Sequence, residues 1–405
     1  MRSGSQLNGC ASTNIISQNS KPPKVAFFKE CVNMITHKRL LQLFGVGLLT
    51  IITLMPEFFM RRTMNTLYYM YEHFTTYYGD LWYCWGNYLN KGFPYPREYP
   101  ALIQAIFKVL FKIPGVAEDY NYYIWFIVAI LTISAVISSC YLFVIRGSWQ
   151  RLLMYWLLAP SFLFYGLMNV DVLPIATIVL SYYCFSREKY NWSASWLALG
   201  TAIKVFPVFL FPVYFFATPK DKRLELASFM VVIWLALNLP FMAADWSAWS
   251  YPYLWQIQEN YARTVADGSW TWLVFTLFDH FGIGSWSGKV SLCLFAGSYL
   301  YFIRKYNHLP LARQLLIVMI LFILTDRVYS PQYNLYLLPF LVLVDYKIDW
   351  RWFYLLELPD FIQGFFLFAV KNNPYYLQSI LVLKYIALIL LLRQVLTAKQ
   401  EEAVK

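Results

Sequence analysis

A single carboxylate stands among aromatic residues in the first quarter of the chain. Asp80 lies within "YYGDLWYCW", residues 77–85. In a pocket of low dielectric constant a carboxylate becomes a stronger base, and it can take a proton from a hydroxyl group in a transition state. Aspartate is also a common helix N-cap, and Leu81 can begin a helix. The residue types therefore leave two roles open for Asp80, a general base and a helix cap.

Polar groups recur in two short segments that follow. Arg97, Glu98 and Tyr99 lie between prolines in "YPREYP", and proline fixes the backbone from which such side chains project. They form either a preset substrate contact or a surface loop with a weak ion pair. Asn169 and Asp171 lie in "LMNVDVLP", where they either line a site or cap a hairpin between two membrane segments.

Cations in apolar or exposed loop segments suggest phosphate binding. Lys204 lies near the middle of an apolar stretch, residues 192–216, that also holds Pro207 and Pro212. A lysine at membrane depth is a site hypothesis by default, and a lipid phosphate is one partner for it. We expect two short half-helices that meet near Lys204 at a polar cavity, because irregular backbone is tolerated there.

A second polar cluster lies late in the chain. Its candidate site residues in "TDRVYSPQYN" are Arg327, Gln332 and Tyr333. The Arg327 guanidinium group suits a phosphate clamp, or a salt bridge to Asp326 or Asp171. Arg263, in an earlier loop, is a further candidate for contact with a phosphate.

The elements that position these residues are membrane helices. The 405 residues are 59% hydrophobic and only 14% charged, whereas soluble domains are about one-quarter charged. The net charge of +11 fits basic cytoplasmic loops better than nucleic-acid binding. The cysteine and histidine spacings suggest neither a disulfide framework nor a metal site.

Hydropathy predicts an all-α polytopic protein of about twelve membrane segments, some of them short or re-entrant. Residues 1–38 form a basic cytoplasmic tail that is partly disordered, residues 39–395 a single membrane domain, and residues 396–405 a second cytoplasmic tail. Long exoplasmic loops span about residues 58–119 and 244–285, with amphipathic surface helices in "PALIQAIFKVLFKIPG" and "SWTWLVFTLFDHFG".

Four segments in order resemble the GT-C class of integral membrane glycosyltransferases, and most closely the polyprenyl-phosphate-mannose-dependent mannosyltransferases of family GT87. They are "YYGD" followed by "GFPYPREYPAL", "MNVDVLPIATIVLSYY", "LALGTAIKVFPVFLFPVYFF" and "DRVYSPQYNLYLLPFLVL". The family often has a second proline where this chain has Ala101.

The resemblance implies a GT-C bundle that transfers a sugar from a polyprenyl or dolichyl monophosphate with inversion. Mannose is the first candidate for that sugar. Asp80 is the implied base, with Glu98 as the alternative, and Lys204 with Arg327 holds the departing phosphate. The acceptor is a glycolipid or a glycan. No metal or other cofactor, and no nucleic acid, is expected.

The membrane lipids are the remaining partners, and the protein is expected to be a monomer. Both termini are expected in the cytoplasm and the active site on the exoplasmic face, with a prokaryotic plasma membrane favoured over the endoplasmic reticulum. The alternative function is a transporter or flippase that holds a phosphate-headed lipid or small molecule with the same cations. The aromatic loop around Asp80 favours the enzyme.

Overall fold

The structure, a computed structural model, describes residues 37–70, 81, 99–167, 169–255, 286–326, 329–359 and 374–399. It is 84% helical and contains no strand within those residues, which confirms the all-α class. The chain divides into two compact units, Met1–Phe44 and Gly45–Lys405. The first unit contributes only the beginning of one helix to the described residues, and every contact below belongs to the second.

The α-helices are numbered here in chain order. They are α1 (His37–Met70), α2 (Ala101–Leu110), α3 (Tyr120–Arg146), α4 (Trp149–Leu152), α5 (Pro160–Tyr165), α6 (Val172–Ser186), α7 (Tyr190–Ile203), α8 (Phe211–Ala217), α9 (Arg223–Ala244), α10 (Trp246–Trp255), α11 (Ser287–Tyr306), α12 (Leu311–Thr325), α13 (Leu338–Leu343), α14 (350–359) and α15 (Pro374–Thr397). A π-helix spans Leu153–Leu157, and 3-10 helices span Phe206–Leu210, Lys220–Lys222 and Pro331–Tyr336.

Several helices are long and apolar enough to cross a membrane. Within the described residues the candidate spans are Lys38–Phe59, Tyr120–Arg146, Lys220–Ala244 and Ser379–Thr397. Shorter apolar helices are Ala101–Leu110, Val172–Ser186, Phe206–Ala217 and Leu311–Thr325. The protein is therefore a membrane protein. The predicted total of about twelve segments and the predicted domain bounds stay predictions.

Helices α6 and α7 form an antiparallel hairpin. Helix α6 also packs against α3, and α7 also packs against α9. The hairpin is close because Gly200 has no side chain: a Cβ there would lie 2.2 Å from Thr177 Oγ1. Small residues permit this approach of helices in membranes. The hairpin brings the start of α6 and the end of α7 to the same end of the bundle.

Helix α7 ends at Ile203, where the sequence predicts a break. Lys204 has extended backbone angles, φ −151° and ψ 140°, and a 3-10 helix begins at Phe206. Pro207 lies in the first turn of that 3-10 helix, where its missing N–H group costs no hydrogen bond. The polar side chain of Lys204 therefore leaves the helix at the break.

Two short helices bring further segments to this end. Helix α2 packs against α7 and α9 with an apolar face that includes the fully buried Ile103 and Phe107, whereas Val109 is exposed. Helix α5 packs against the 3-10 helix Pro331–Tyr336. The amphipathic pattern of α2 is thus observed, and its place on the exoplasmic membrane surface stays a prediction.

Candidate functional site

An ion pair joins the start of α6 to the end of α7. The carboxylate of Asp171 contacts the Lys204 ammonium group and accepts a hydrogen bond from the Tyr336 hydroxyl group at 2.9 Å. The Asp171 side chain is 0% exposed and that of Lys204 is 20% exposed. Charges removed from water in this way need compensation. The three residues therefore form one coupled cluster, called here the Asp171 cluster.

Asp171 lies at the N-cap position of α6, but its side chain makes no capping hydrogen bond. Instead, Asn169 Oδ1 accepts a hydrogen bond from the Asp171 N–H group at 3.1 Å. The hairpin-cap interpretation of Asp171 is therefore wrong, because its carboxylate points to Lys204. Asn169 orders the turn from which that carboxylate projects.

The second carboxylate oxygen of Asp171 is an available acceptor. Asp171 Oδ2 is buried and has no hydrogen-bond partner within the described part of the chain. Buried polar atoms are satisfied in the great majority of cases, so such an atom calls for an explanation. A hydroxyl group of a bound ligand is one donor that suits this oxygen.

Aromatic rings enclose the ammonium group. Lys204 Nζ lies 5.6 Å from the centroid of the Tyr99 ring and 5.9 Å from that of Tyr336, within the range of cation–π attraction. Tyr336 in turn stacks on Phe206, with centroids 3.8 Å apart, and on Tyr333, with centroids 5.2 Å apart. The two tyrosine rings therefore help to hold the ammonium group in place.

The structure brings together five of the predicted site residues. They are Tyr99, Asn169, Asp171, Lys204 and Tyr333. Gln332 lies in the same 3-10 helix as Tyr333 and is half-buried. Asp80, Arg97, Glu98, Arg263 and Arg327 lie outside the described residues, so their roles stay predictions.

Two residues of the site escaped the sequence analysis. Tyr336 donates to Asp171, and Phe206 stacks on Tyr336. A signal for Tyr336 was present, because it follows Tyr333 by three residues, which is one turn of a 3-10 helix. Phe206 gave no such signal, since one phenylalanine in an apolar stretch is indistinguishable from its neighbours.

The arrangement can bind an anion beside a hydrogen-bond acceptor. An ammonium group has three N–H donors and Asp171 uses one of them, so Lys204 can reach an anionic ligand while it stays paired. Asp171 Oδ2 can accept from a hydroxyl group of the same ligand. In the described part of the chain, no group of three His, Cys, Asp or Glu side chains is placed to hold a metal ion.

Comparison with known proteins assigns the chain to a family. The model of glycosyltransferase family 87 matches residues 99–326, more than half of the chain. The matched region begins at Tyr99 and contains both Asp171 and Lys204. No match is found among curated proteins.

Proposed function

The chain belongs to glycosyltransferase family 87, and on that premise we propose that it transfers a sugar from a polyprenyl or dolichyl monophosphate to a hydroxyl group of an acceptor. Mannose is the proposed sugar, and a lipid-linked or free glycan is the proposed acceptor. Membership of a glycosyltransferase family favours this enzyme over the transporter that the sequence also allowed.

One observation carries the choice of donor. A cation, Lys204, lies at a helix break inside an apolar bundle, where Asp171 and two tyrosine rings hold it in place. A group that is ordered before the ligand arrives loses less entropy on binding. The two N–H donors not used by Asp171 suit the oxygens of a phosphate whose lipid chain lies in the membrane.

The Asp171 carboxylate gives this site a further property. It offsets the charge of Lys204, so that the ammonium group can stay in an apolar bundle when no phosphate is bound. Its second oxygen can accept from a hydroxyl group of the sugar beside the phosphate. Lys204 and Asp171 together can therefore bind both sides of the bond that breaks. Lys204 binds the phosphate, and Asp171 binds the sugar.

The proposed step is a single displacement at the anomeric carbon. Asp80 takes the proton of the acceptor hydroxyl group as the acceptor oxygen forms the new glycosidic bond. The bond between the anomeric carbon and the phosphate oxygen breaks, and its electron pair leaves with the lipid phosphate. Lys204, with Arg327 and Arg263, stabilises the negative charge that develops on that phosphate. Attack opposite the leaving group inverts the anomeric centre.

We propose that the reaction takes place on the exoplasmic face and that both termini lie in the cytoplasm. Arg97, Glu98 and Tyr99 are proposed to support the acceptor, and the Tyr99 ring centroid lies 5.6 Å from Lys204 Nζ. We expect the protein to be a monomer in a prokaryotic plasma membrane and to need no metal or other cofactor.

A panel of donors tests this function. Purified protein in lipid nanodiscs is given mannose, glucose or arabinose on a polyprenyl monophosphate, and mannose on a polyprenyl diphosphate or on a nucleotide diphosphate as controls. We expect transfer from a monophosphate donor alone, with release of polyprenyl monophosphate in equal amount to the glycosylated acceptor. Transfer from a nucleotide sugar, or none from any polyprenyl monophosphate, would show that the proposed donor is wrong.

A further inference from the structure

Two buried carboxylates in apolar helices are not members of the Asp171 cluster. Glu57 lies in the candidate span of α1 and is 1% exposed, and Glu357 lies in α14 and is 0% exposed. Removal of a carboxylate from water is costly unless hydrogen bonds or a partner charge compensate it, so a buried carboxylate usually has a role. Neither residue is among the candidates above, so each needs an account.

Both carboxylates bind the same short helix. Glu357 Oε2 accepts a hydrogen bond from the Ser161 N–H group at 2.8 Å, and Glu57 Oε2 accepts one from the Leu167 N–H group at 2.9 Å. Ser161 is the second residue of α5, and Leu167 lies just after its C-cap. An N–H group in the first turn has no partner within its own helix. The two carboxylates therefore hold the two ends of α5.

The contact between α1 and the end of α5 is close. A Cβ at Gly166 would lie 3.0 Å from Leu54 Cδ2 and 3.6 Å from Glu57 Oε2. The same atom would lie 2.6 Å from the backbone oxygen of Phe162. Only glycine leaves room for α1 to bring Glu57 to the Leu167 N–H group.

Helix α5 lies between these carboxylates and the Asp171 cluster. It packs against the 3-10 helix Pro331–Tyr336, which carries the hydroxyl group that donates to Asp171. It also leads directly into the turn that Asn169 orders. A six-residue helix is far too short to be stable alone, so its position depends on its neighbours. A shift of α5 would move Asp171 and Tyr336 together.

We propose that Glu57 and Glu357 are positioning residues, which fix α5 and through it the Asp171 cluster in the geometry that transfer requires. The inference rests on the proposed function for its effect on catalysis. What the geometry uses is an acceptor oxygen at a fixed distance from each backbone N–H group. A side chain shortened by one methylene group would withdraw that oxygen from its N–H group.

Paired substitutions separate length from charge. Glu57→Gln and Glu357→Gln keep the side-chain length and an acceptor oxygen. Glu57→Asp and Glu357→Asp keep the charge, but the side chain is one methylene group too short to reach the backbone N–H group. Glu225→Asp on α9 is the matched control, because that side chain is exposed and pairs only locally with Lys222. All variants are conservative, and kcat and the donor KM are measured per folded enzyme.

We expect the Asp variants at positions 57 and 357 to lower kcat by about tenfold or more, since small misplacements of reacting groups can cost about 100-fold. The Gln variants keep kcat within about threefold of the wild type, because their hydrogen bonds survive. A role in stability alone would lower the melting temperature and leave kcat per folded enzyme unchanged. Loss of kcat in the Gln variants, with the Asp variants active, would instead assign the role to charge. Either of these two results overturns the proposal.

Hydrogen–deuterium exchange supplies a readout that needs no substrate. Faster exchange of residues 161–171 is expected in the two Asp variants, with unchanged exchange in α9. Unchanged exchange of residues 161–171 would refute the positioning role even if kcat falls. If the wild-type protein transfers no sugar, the proposed function fails, while the exchange data still decide whether Glu57 and Glu357 hold α5.

Discussion

Replacing Lys204 with methionine removes the cation that compensates a fully buried carboxylate. In Lys204→Met, the Tyr336 hydroxyl group still donates a hydrogen bond to Asp171 Oδ1 at 2.9 Å. Removal of one partner of a buried ion pair costs about 3–5 kcal/mol, because the other charge is left uncompensated. Since Lys204 is 20% exposed, water screens part of the interaction, and we expect the lower end of that range.

The double variant Asp171→Asn/Lys204→Met removes both charges and keeps the side-chain volumes similar. The double variant leaves no uncompensated buried charge, so most of the loss should be recovered. In detergent we expect the melting temperature of Lys204→Met to fall by about 5 °C or more, and that of the double variant to lie near the wild-type value. The coupling is read from the double-mutant cycle.

The same variants test the phosphate contact. If Lys204 binds the donor phosphate, the donor KM of the double variant stays above that of Asp171→Asn alone, although its stability has returned. Additive melting-temperature changes would refute the coupling of Asp171 to Lys204. Recovery of the donor KM together with stability would refute the phosphate contact, because it would show that Lys204 acts only as the partner of Asp171.

Three further predictions concern single contacts. Tyr336→Phe removes a hydrogen bond to a charged group, so the free energy of unfolding should fall by about 1.5–3 kcal/mol in chemical denaturation, with the stacked ring kept. Gly200→Ala places a methyl group 2.2 Å from Thr177 Oγ1 and should cost about 1–3 kcal/mol, which Thr177→Ala in the same chain should partly restore. Hydrogen bonds from Arg351 hold the pKa of Asp349 below its ordinary value. Asp349→Asn should therefore lower the melting temperature at pH 7, and this difference should shrink as acid protonates the carboxylate of the wild type.

The helix break at Lys204 could be predicted because its causes are local. A lysine in an apolar stretch, followed three residues later by Pro207, is visible in the sequence itself. The contact of Lys204 with Asp171 is not local. It depends on the antiparallel packing of α6 against α7. The contact of Tyr336 with Asp171 joins two residues that lie 165 positions apart in the sequence. Hydropathy gives the candidate members of the site but not their pairing.

Glu57 and Glu357 show a different limit. Each lies within two residues of a proline near the end of an apolar stretch, in "LMPEFF" and "LLELPD", where a charge usually marks the membrane boundary. Their burial and their shared target, α5, arise only from the tertiary arrangement. The pattern of one segment does not distinguish a boundary charge from an acceptor turned towards a neighbouring helix.

The rate of sugar transfer by Asp80→Asn tests the central claim most directly. Single-turnover transfer from a polyprenyl-phosphate sugar is measured for wild-type and variant protein, together with donor binding. Loss of a general base should lower the rate by about 100-fold or more, with donor binding unchanged. Transfer by Asp80→Asn near the wild-type rate would contradict the assignment of Asp80 as the base.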